Sequence, residues 1–272
     1  MCRRGFFVIP CLPKWPSMWI RKRIGGNLNA NTGSCMELVV DKRRIFSGIA
    51  EEREEKMQSL CSASAETERK LREALLRHKR TEKELLGALD YAKSLDFSKS
   101  SLKSSYLSHP MRVAMFLLEL QPSASTDELI TALLHNVPET TAVTTSELGR
   151  LFGEEVAHGI GVLLVDRKAV FASICESYYK KIEALGETVM LTKLLDKMDN
   201  LFVLCLNPDE VVRHDYIEEV RERLLPFAAR YNTGLGEYLR TLLDDAAKTG
   251  FSERLKDRLT IYQEKQKTGA LS

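Results

Sequence analysis

Apolar residues recur every three or four positions through most of this chain, and no segment shows the alternation that marks a half-buried strand. Leu71, Leu75, Leu85, Leu89 and Ala92 keep that spacing between 51 and 95, with Lys and Glu between them. Leu129, Ile130, Leu133 and Leu134 give the next face, opened by the helix-start signal Ser125-Thr126-Asp127-Glu128. Pro110 opens a helix through Met111–Leu120 with His109 at or near its N-cap, and Gln121-Pro122 ends it. Pro138 disfavours helical geometry at Val137, so the helix before it stops near His135-Asn136. Short helices follow from Thr145 and Glu154. Gly186 then separates a helix over 171–185 from one over 187–206, and a kink is expected at Pro226. With only 15 Gly and 8 Pro in 272 residues, a loop-rich sandwich is excluded. The pattern predicts an all-α bundle of about eight helices.

Four regions are expected. Residues 1–50 form a disordered or mis-started segment, 51–84 a charged helical extension whose first half is too polar to bury, 85–235 the helical core, and 236–272 a helical tail. Residues 1–36 carry six basic side chains and no acid, so the other 236 residues hold 34 basic against 38 acidic groups, a balance of −4. A body of that sign does not hold duplex phosphates through its general field, which argues against a nucleic-acid partner. No apolar run reaches the roughly eighteen residues of a membrane span. The basic segment is compatible with an organelle transit peptide, although Ser is scarce, and equally with translation that begins at Met36. The six cysteines, at 2, 11, 35, 61, 175 and 205, include no CxxC pair and read as reduced thiols of a cytoplasmic protein.

Only five histidines occur, and two of them, His109 and His135, stand at helix ends where each can point into a shared cleft. Far downstream, Asp196 and Asn200 lie at i and i+4 on one helix face, with Lys193 on the same face and apolar neighbours around. Two imidazoles and a carboxylate can ligate a divalent metal, although each residue taken singly is as readily a cap or an ion-pair partner. His78, between Arg77 and Lys79, reads as a solvated face, and His158 and His214 as ordinary helix positions.

The segments Ser105–Ala114 (SYLSHPMRVA), Ala132–Thr140 (ALLHNVPET), Phe152–Ala157 (FGEEVA) and Lys193–Leu201 (KLLDKMDNL) occur in an order and spacing that resembles the HD-superfamily phosphohydrolase domain of the RelA/SpoT alarmone enzymes and small alarmone hydrolases. The resemblance covers roughly 85–230. It implies an all-α domain with a manganese ion held by His109, His135, Asn136 and Asp196. It also implies removal of pyrophosphate from the 3′ position of guanosine tetra- or pentaphosphate. Glu139 and Thr140 occupy the positions of the acidic pair that helps to activate water. Asn200 matches the substrate-contacting Asn, with Lys193 and Tyr106 as further substrate contacts.

Four features depart from the family pattern. Asn136 replaces the Asp of the His-Asp pair and Thr140 the second acid. Ser100 falls where an Arg is expected, and Leu164-Val165 where a Thr-Lys pair is usual. A carboxamide lends a metal only a dipole where a carboxylate lends a full charge, and a hydroxyl is no base near neutral pH. The leading expectation is therefore a pseudoenzyme that binds a guanosine nucleotide or a protein partner at a weakened metal site. The alternative is a working manganese-dependent pyrophosphohydrolase in which Asn136 ligates through its amide oxygen. A scaffolding protein that uses 51–95 as an interaction arm is the third reading.

Overall fold

The computed structural model describes residues 49–61, 64–98, 106–165 and 171–267, and every regular element among them is helical. The expected all-α bundle is present, with more helices than eight. In chain order these are α1 (Ile49–Ser59), α2 (Ala65–Arg77), α3 (Lys83–Ser94), α4 (Ser108–Leu120), α5 (Thr126–Leu134), α6 (Val137–Thr140), α7 (Thr145–Phe152) and α8 (Glu154–Leu163). They continue with α9 (Phe171–Leu185), α10 (Glu187–Leu201), α11 (Glu210–Glu219), α12 (Leu225–Tyr231), α13 (Thr233–Thr249) and α14 (Glu253–Lys267). Periodicity alone undercounts them because it is blind to breaks that fall between helices of similar face. One such break separates α2 from α3, where Lys79 takes a left-handed φ of 56°.

Local chemistry sets most of the boundaries. Ser125 and Glu128 form a reciprocal capping box at the start of α5, and Thr144 with Glu147 does the same for α7. Asp209 and Asn232 cap α11 and α13 through their side chains. Gly186, at φ 112°, supplies the left-handed joint between α9 and α10 that a side chain would strain. His109 lies one residue inside α4, which starts at Ser108. The expected kink at Pro226 is spread upstream as a π-helical stretch, Val220–Leu224. Proline lacks the N–H that would close the preceding turn, and a wider turn accommodates the missing bond.

α4 is the axis of the bundle. Every residue from Ser108 to Leu118 is buried, including Arg112, which is 1% exposed. It packs against α2, α5 and α10, and α10 is nearly as enclosed, from Met190 to Asp199. Gly236 lets α13 close on α12, because a Cβ there would lie 2.7 Å from the Ala229 Cα.

The expectation of an exposed first half in the 51–84 region is corrected. α1 is polar in composition, yet Arg53, Lys56 and Met57 are buried, with Lys56 and Met57 fully enclosed. Arg53, Glu54 and Lys56 find partners far along the chain, which sequence polarity cannot register. Leu239, Leu242 and Leu243 of α13 are likewise core residues within the expected tail. His78 is also no simple solvated face, because its Nε2 lies 3.2 Å from Glu119. His158 and His214 are exposed helix positions. Cys61 and Cys205 are free and buried. Residues 1–48, the loop containing Ser100, and the side chain of Cys175 lie outside the described residues. No helix among the described residues is long and apolar enough to cross a membrane.

Candidate metal centre

Three helices deliver the central residues: the first turn of α4 brings His109, the end of α5 brings His135, and α10 brings Asp196. The nearest ligand atoms of all three lie within 4.8 Å of one another, and all three residues are buried. The Nε2 of His109 is 3.2 Å from Asp196 Oδ1, and that of His135 is 3.8 Å from the same oxygen. The two rings meet edge-on, with centroids 5.4 Å apart.

The far side of each ring decides what the near side can do. His135 Nδ1 donates to the Ala132 carbonyl at 2.7 Å, because a carbonyl oxygen can only accept. His109 Nδ1 lies 2.6 Å from Asp199 Oδ2 and donates to that carboxylate. Each bond fixes the proton at Nδ1 and leaves Nε2 as the ring's lone-pair nitrogen, the arrangement usual for metal-ligating histidines. Both Nε2 atoms are buried and lack a hydrogen-bond partner. Buried polar atoms seldom go unsatisfied, and two that face one carboxylate fit a cation between them. An N₂O set of this kind suits a first-row divalent transition metal.

Asp196 is itself held in place. Lys193 Nζ donates to its Oδ2 at 2.9 Å and Asn200 Nδ2 to its Oδ1 at 3.1 Å. Burial resists ionisation, but Lys193 and then the two histidines hold this carboxyl well below the ordinary range. Burial also works against the charge of Lys193, and Asp196 outweighs it, so the ammonium is retained. His109 is lifted above its usual value, because Asp196 and Asp199 together overcome the burial that favours its neutral form.

Beneath this cluster lies a second one, which the sequence analysis missed. Asp199, fully enclosed, accepts from Arg112 Nε at 3.3 Å and Nη2 at 3.1 Å, and from Lys56 Nζ at 3.2 Å. Lys56 also donates to the Asp199 main-chain carbonyl. Burial opposes this carboxylate too, and Arg112 and Lys56 keep it ionised far below the usual range. The available signal was Asp199 three residues after Asp196, on the same face, together with Arg112 inside the otherwise apolar run of α4.

The other expected residues fall around this core. Asn136 is half-buried at the N-cap of α6, and among the described residues its side chain makes no hydrogen bond to Lys193 or Asn200. Those two groups instead serve Asp196. Thr140 is buried, and its hydroxyl donates to the Asn136 carbonyl at 2.8 Å. Glu139 is half-buried on the same one-turn helix. Tyr106 is buried with its ring 6.0 Å from that of His109. Leu164 and Val165 are half-buried just past α8.

Residues 88–166 match the family model of the HD domain, a span that contains His109, His135 and Asn136 and ends before Asp196. Over that stretch the chain is similar to an HD domain. Among the relatives it matches is the guanosine-3′,5′-bis(diphosphate) 3′-pyrophosphohydrolase of Aquifex aeolicus, 33% identical over 165 residues, covering 60% of this chain and 23% of that protein. Another is the bifunctional (p)ppGpp synthase/hydrolase SpoT of Escherichia coli K12, 30% identical over 184 residues, covering 64% and 25%. A GTP pyrophosphokinase of Myxococcus xanthus is 31% identical over 167 residues, covering 57% and 21%. The chain thus spans about a quarter of the length of these relatives. A solved structure described as a metazoan ortholog of SpoT that hydrolyzes ppGpp aligns with a TM-score of 0.48 and 21% identity, over 60% of this chain and 96% of that one.

Proposed function

We propose that this chain is an HD-domain protein that holds a divalent cation, with manganese the expected ion, and binds a guanosine nucleotide of the kind its relatives are named for, with little or no turnover. His109, His135 and Asp196 would hold the cation, with the Asn136 amide oxygen as a fourth, uncharged ligand. When bound, such a cation polarises phosphoryl oxygens and makes a bound water more acidic. Lys193 and Asn200 orient Asp196, and Asp199 and the Ala132 carbonyl orient the two rings.

The observation that carries the low-turnover reading is Thr140. Where the family pattern has a second acid, this hydroxyl is engaged by the Asn136 carbonyl, and an alcohol cannot accept a proton near neutral pH. Glu139 is left as the nearby acid. Loss of the anionic ligand at 136 weakens the cation further. Even an outer partner's removal costs about 10–100-fold in metal affinity or activity.

A second reading, a working pyrophosphohydrolase with Glu139 as base, is favoured by the preserved lone-pair geometry of both Nε2 atoms. One experiment separates the two. The purified chain is titrated with manganese, then with guanosine tetraphosphate, by calorimetry, and pyrophosphate release is followed in parallel. Metal-dependent nucleotide binding without release supports the proposal. Sustained release at substrate-limited rates refutes it in favour of the hydrolase, and binding of neither ligand refutes both. A protein partner that docks on the same bundle would be sought only in that last case.

A further inference from the structure

Lys56 lies outside the stretch that matches the HD domain, on the polar helix α1, yet it is fully buried and its ammonium reaches the carboxylate that holds His109. Resting on the metal-site reading above, we propose that Lys56 is a positioning residue of the metal centre: it fixes Asp199 so that His109 presents its Nε2 lone pair to the site.

The argument turns on how the donors divide between two oxygens. Oδ2 of Asp199 takes His109 Nδ1 and Arg112 Nη2, while Oδ1 takes Arg112 Nε and Lys56 Nζ. Lys56 also grips the main-chain carbonyl of the same residue, so it constrains both the last turn of α10 and the side chain that leaves it. Arg112 alone already balances the charge of Asp199. Without Lys56, nothing else among these contacts ties Oδ1 to a fixed point apart from the guanidinium. The pair with Arg112 is already two-pronged, Nε to Oδ1 and Nη2 to Oδ2, so without Lys56 the carboxylate can pivot with the guanidinium as one unit and is no longer held toward His109. His109 would lose its short bond, and with it the fixed Nδ1 proton.

Packing gives no reason for an ammonium at this place. A methionine of similar length would fill the same space over the Phe202 ring, which lies 5.0 Å from Nζ, without the cost of burying a charge. α1 is also secured independently of the site. Arg53 Nε donates to the Phe202 carbonyl at 2.8 Å and its guanidinium pairs with Asp245, while Glu54 pairs with Arg258 of α14 at 2.7 Å. The helix thus has anchors other than Lys56.

The test uses the full chain as wild type, Lys56→Met and Lys56→Arg. Imidazole ¹⁵N shifts of the metal-free proteins, read across pH, report which nitrogen of His109 is protonated, and calorimetry reports manganese affinity. Wild type should show Nδ1–H in the neutral ring. Lys56→Met should shift His109 toward a mixture with the Nε2–H form and weaken manganese binding by about 10–100-fold, as loss of an orienting partner does. Lys56→Arg should recover most of both. A folded Lys56→Met with an unchanged His109 signature and unchanged affinity overturns the proposal and leaves the metal-site reading standing. Wild type that binds no manganese removes that reading first. Should Lys56→Met fail to fold, hydrogen exchange on wild type decides. Coupling is reciprocal, so manganese must slow exchange of the α1 amides, and no change there overturns the proposal.

Discussion

Replacing Asp199 with Asn removes one charge and almost no volume, so no cavity contributes and the loss is electrostatic. In the native site four donors share two oxygens: His109 Nδ1, Arg112 Nε and Nη2, and Lys56 Nζ. A carboxamide keeps one accepting oxygen and turns an NH₂ group toward the other pair of donors. Whichever way the amide flips, two donors lose their acceptor, and Arg112 and Lys56 become two buried cations with no anion. Breaking a buried pair in this way typically costs about 3–5 kcal/mol. For a helical body of this size each kcal/mol moves Tm by roughly 2–4 °C, so a fall of about 6–20 °C is expected. The assay is urea unfolding followed by circular dichroism, with a thermal melt in chelator to keep metal out. The double variant Lys56→Met/Asp199→Asn should be less unstable than the sum of the two single changes, since it removes one orphaned cation. A loss in Asp199→Asn below about 1 kcal/mol, the scale of an exposed ion pair, would refute the reasoning, because it would mean that the charges beneath the site are solvated.

Asn136→Asp should strengthen manganese binding by at least the roughly 10–100-fold that even an outer partner controls, read by calorimetry; an indifferent variant would show that position 136 does not face the cation. Thr140→Ala should leave nucleotide binding intact and cost only about 0.5–1.5 kcal/mol in urea unfolding, the worth of one hydrogen bond, whereas a larger loss of activity than of stability would restore Thr140 as a chemical group. Gly236→Ala should destabilise by about 1–3 kcal/mol, because the new methyl meets main chain on α12 that cannot swing aside. Asp196, Asp199 and Glu219 all have folded pKa values below their ordinary ones, so the stability they contribute is complete above about pH 5 and is lost as pH falls through the ordinary and then the depressed values. Melting temperature in chelator should therefore drop on the acid side of about pH 5, more shallowly in Asp199→Asn, and a drop centred near pH 6 would contradict this assignment.

Helix existence was legible in the sequence wherever an apolar face met a cap or a proline. Ser125 with Glu128 and Gly186 each marked a boundary that the structure keeps, and the break expected before Pro138 is present although Val137 itself opens the one-turn helix α6, where a proline in the first turn removes no needed N–H. The convergence of His109, His135 and Asp196 was legible as well, through the ordered segments that resemble the HD pattern. What the sequence concealed is the burial of charge. α1 reads as a solvent-facing helix because Arg53, Glu54 and Lys56 look polar in one dimension, and their partners Asp245, Arg258 and Asp199 lie far along the chain. The same blindness hid Glu219, which on α11 receives Lys197 at 2.6 Å and the Tyr179 hydroxyl at 2.7 Å. A charge pattern read along one helix carries no information about a cation delivered by another.

That contrast also explains how the site can change at some positions and not at others. Asn136 is half-buried at a helix N-cap, at φ −101°, where Asn and Asp are about equally suited. Exchanging one for the other there alters the charge offered to a cation and little else. Thr140 can replace an acid on the next turn because its hydroxyl finds the Asn136 carbonyl and leaves nothing unsatisfied. Asp199 has no such latitude, since two buried cations and a histidine depend on it, and any replacement strands them. Fold stability therefore holds the layer that orients the histidines, while only the chemistry holds positions 136 and 140. Under the low-turnover proposal, acids are the groups that could be given up at those two positions at least cost to the fold, whereas the histidines stay tied to the buried layer beneath them.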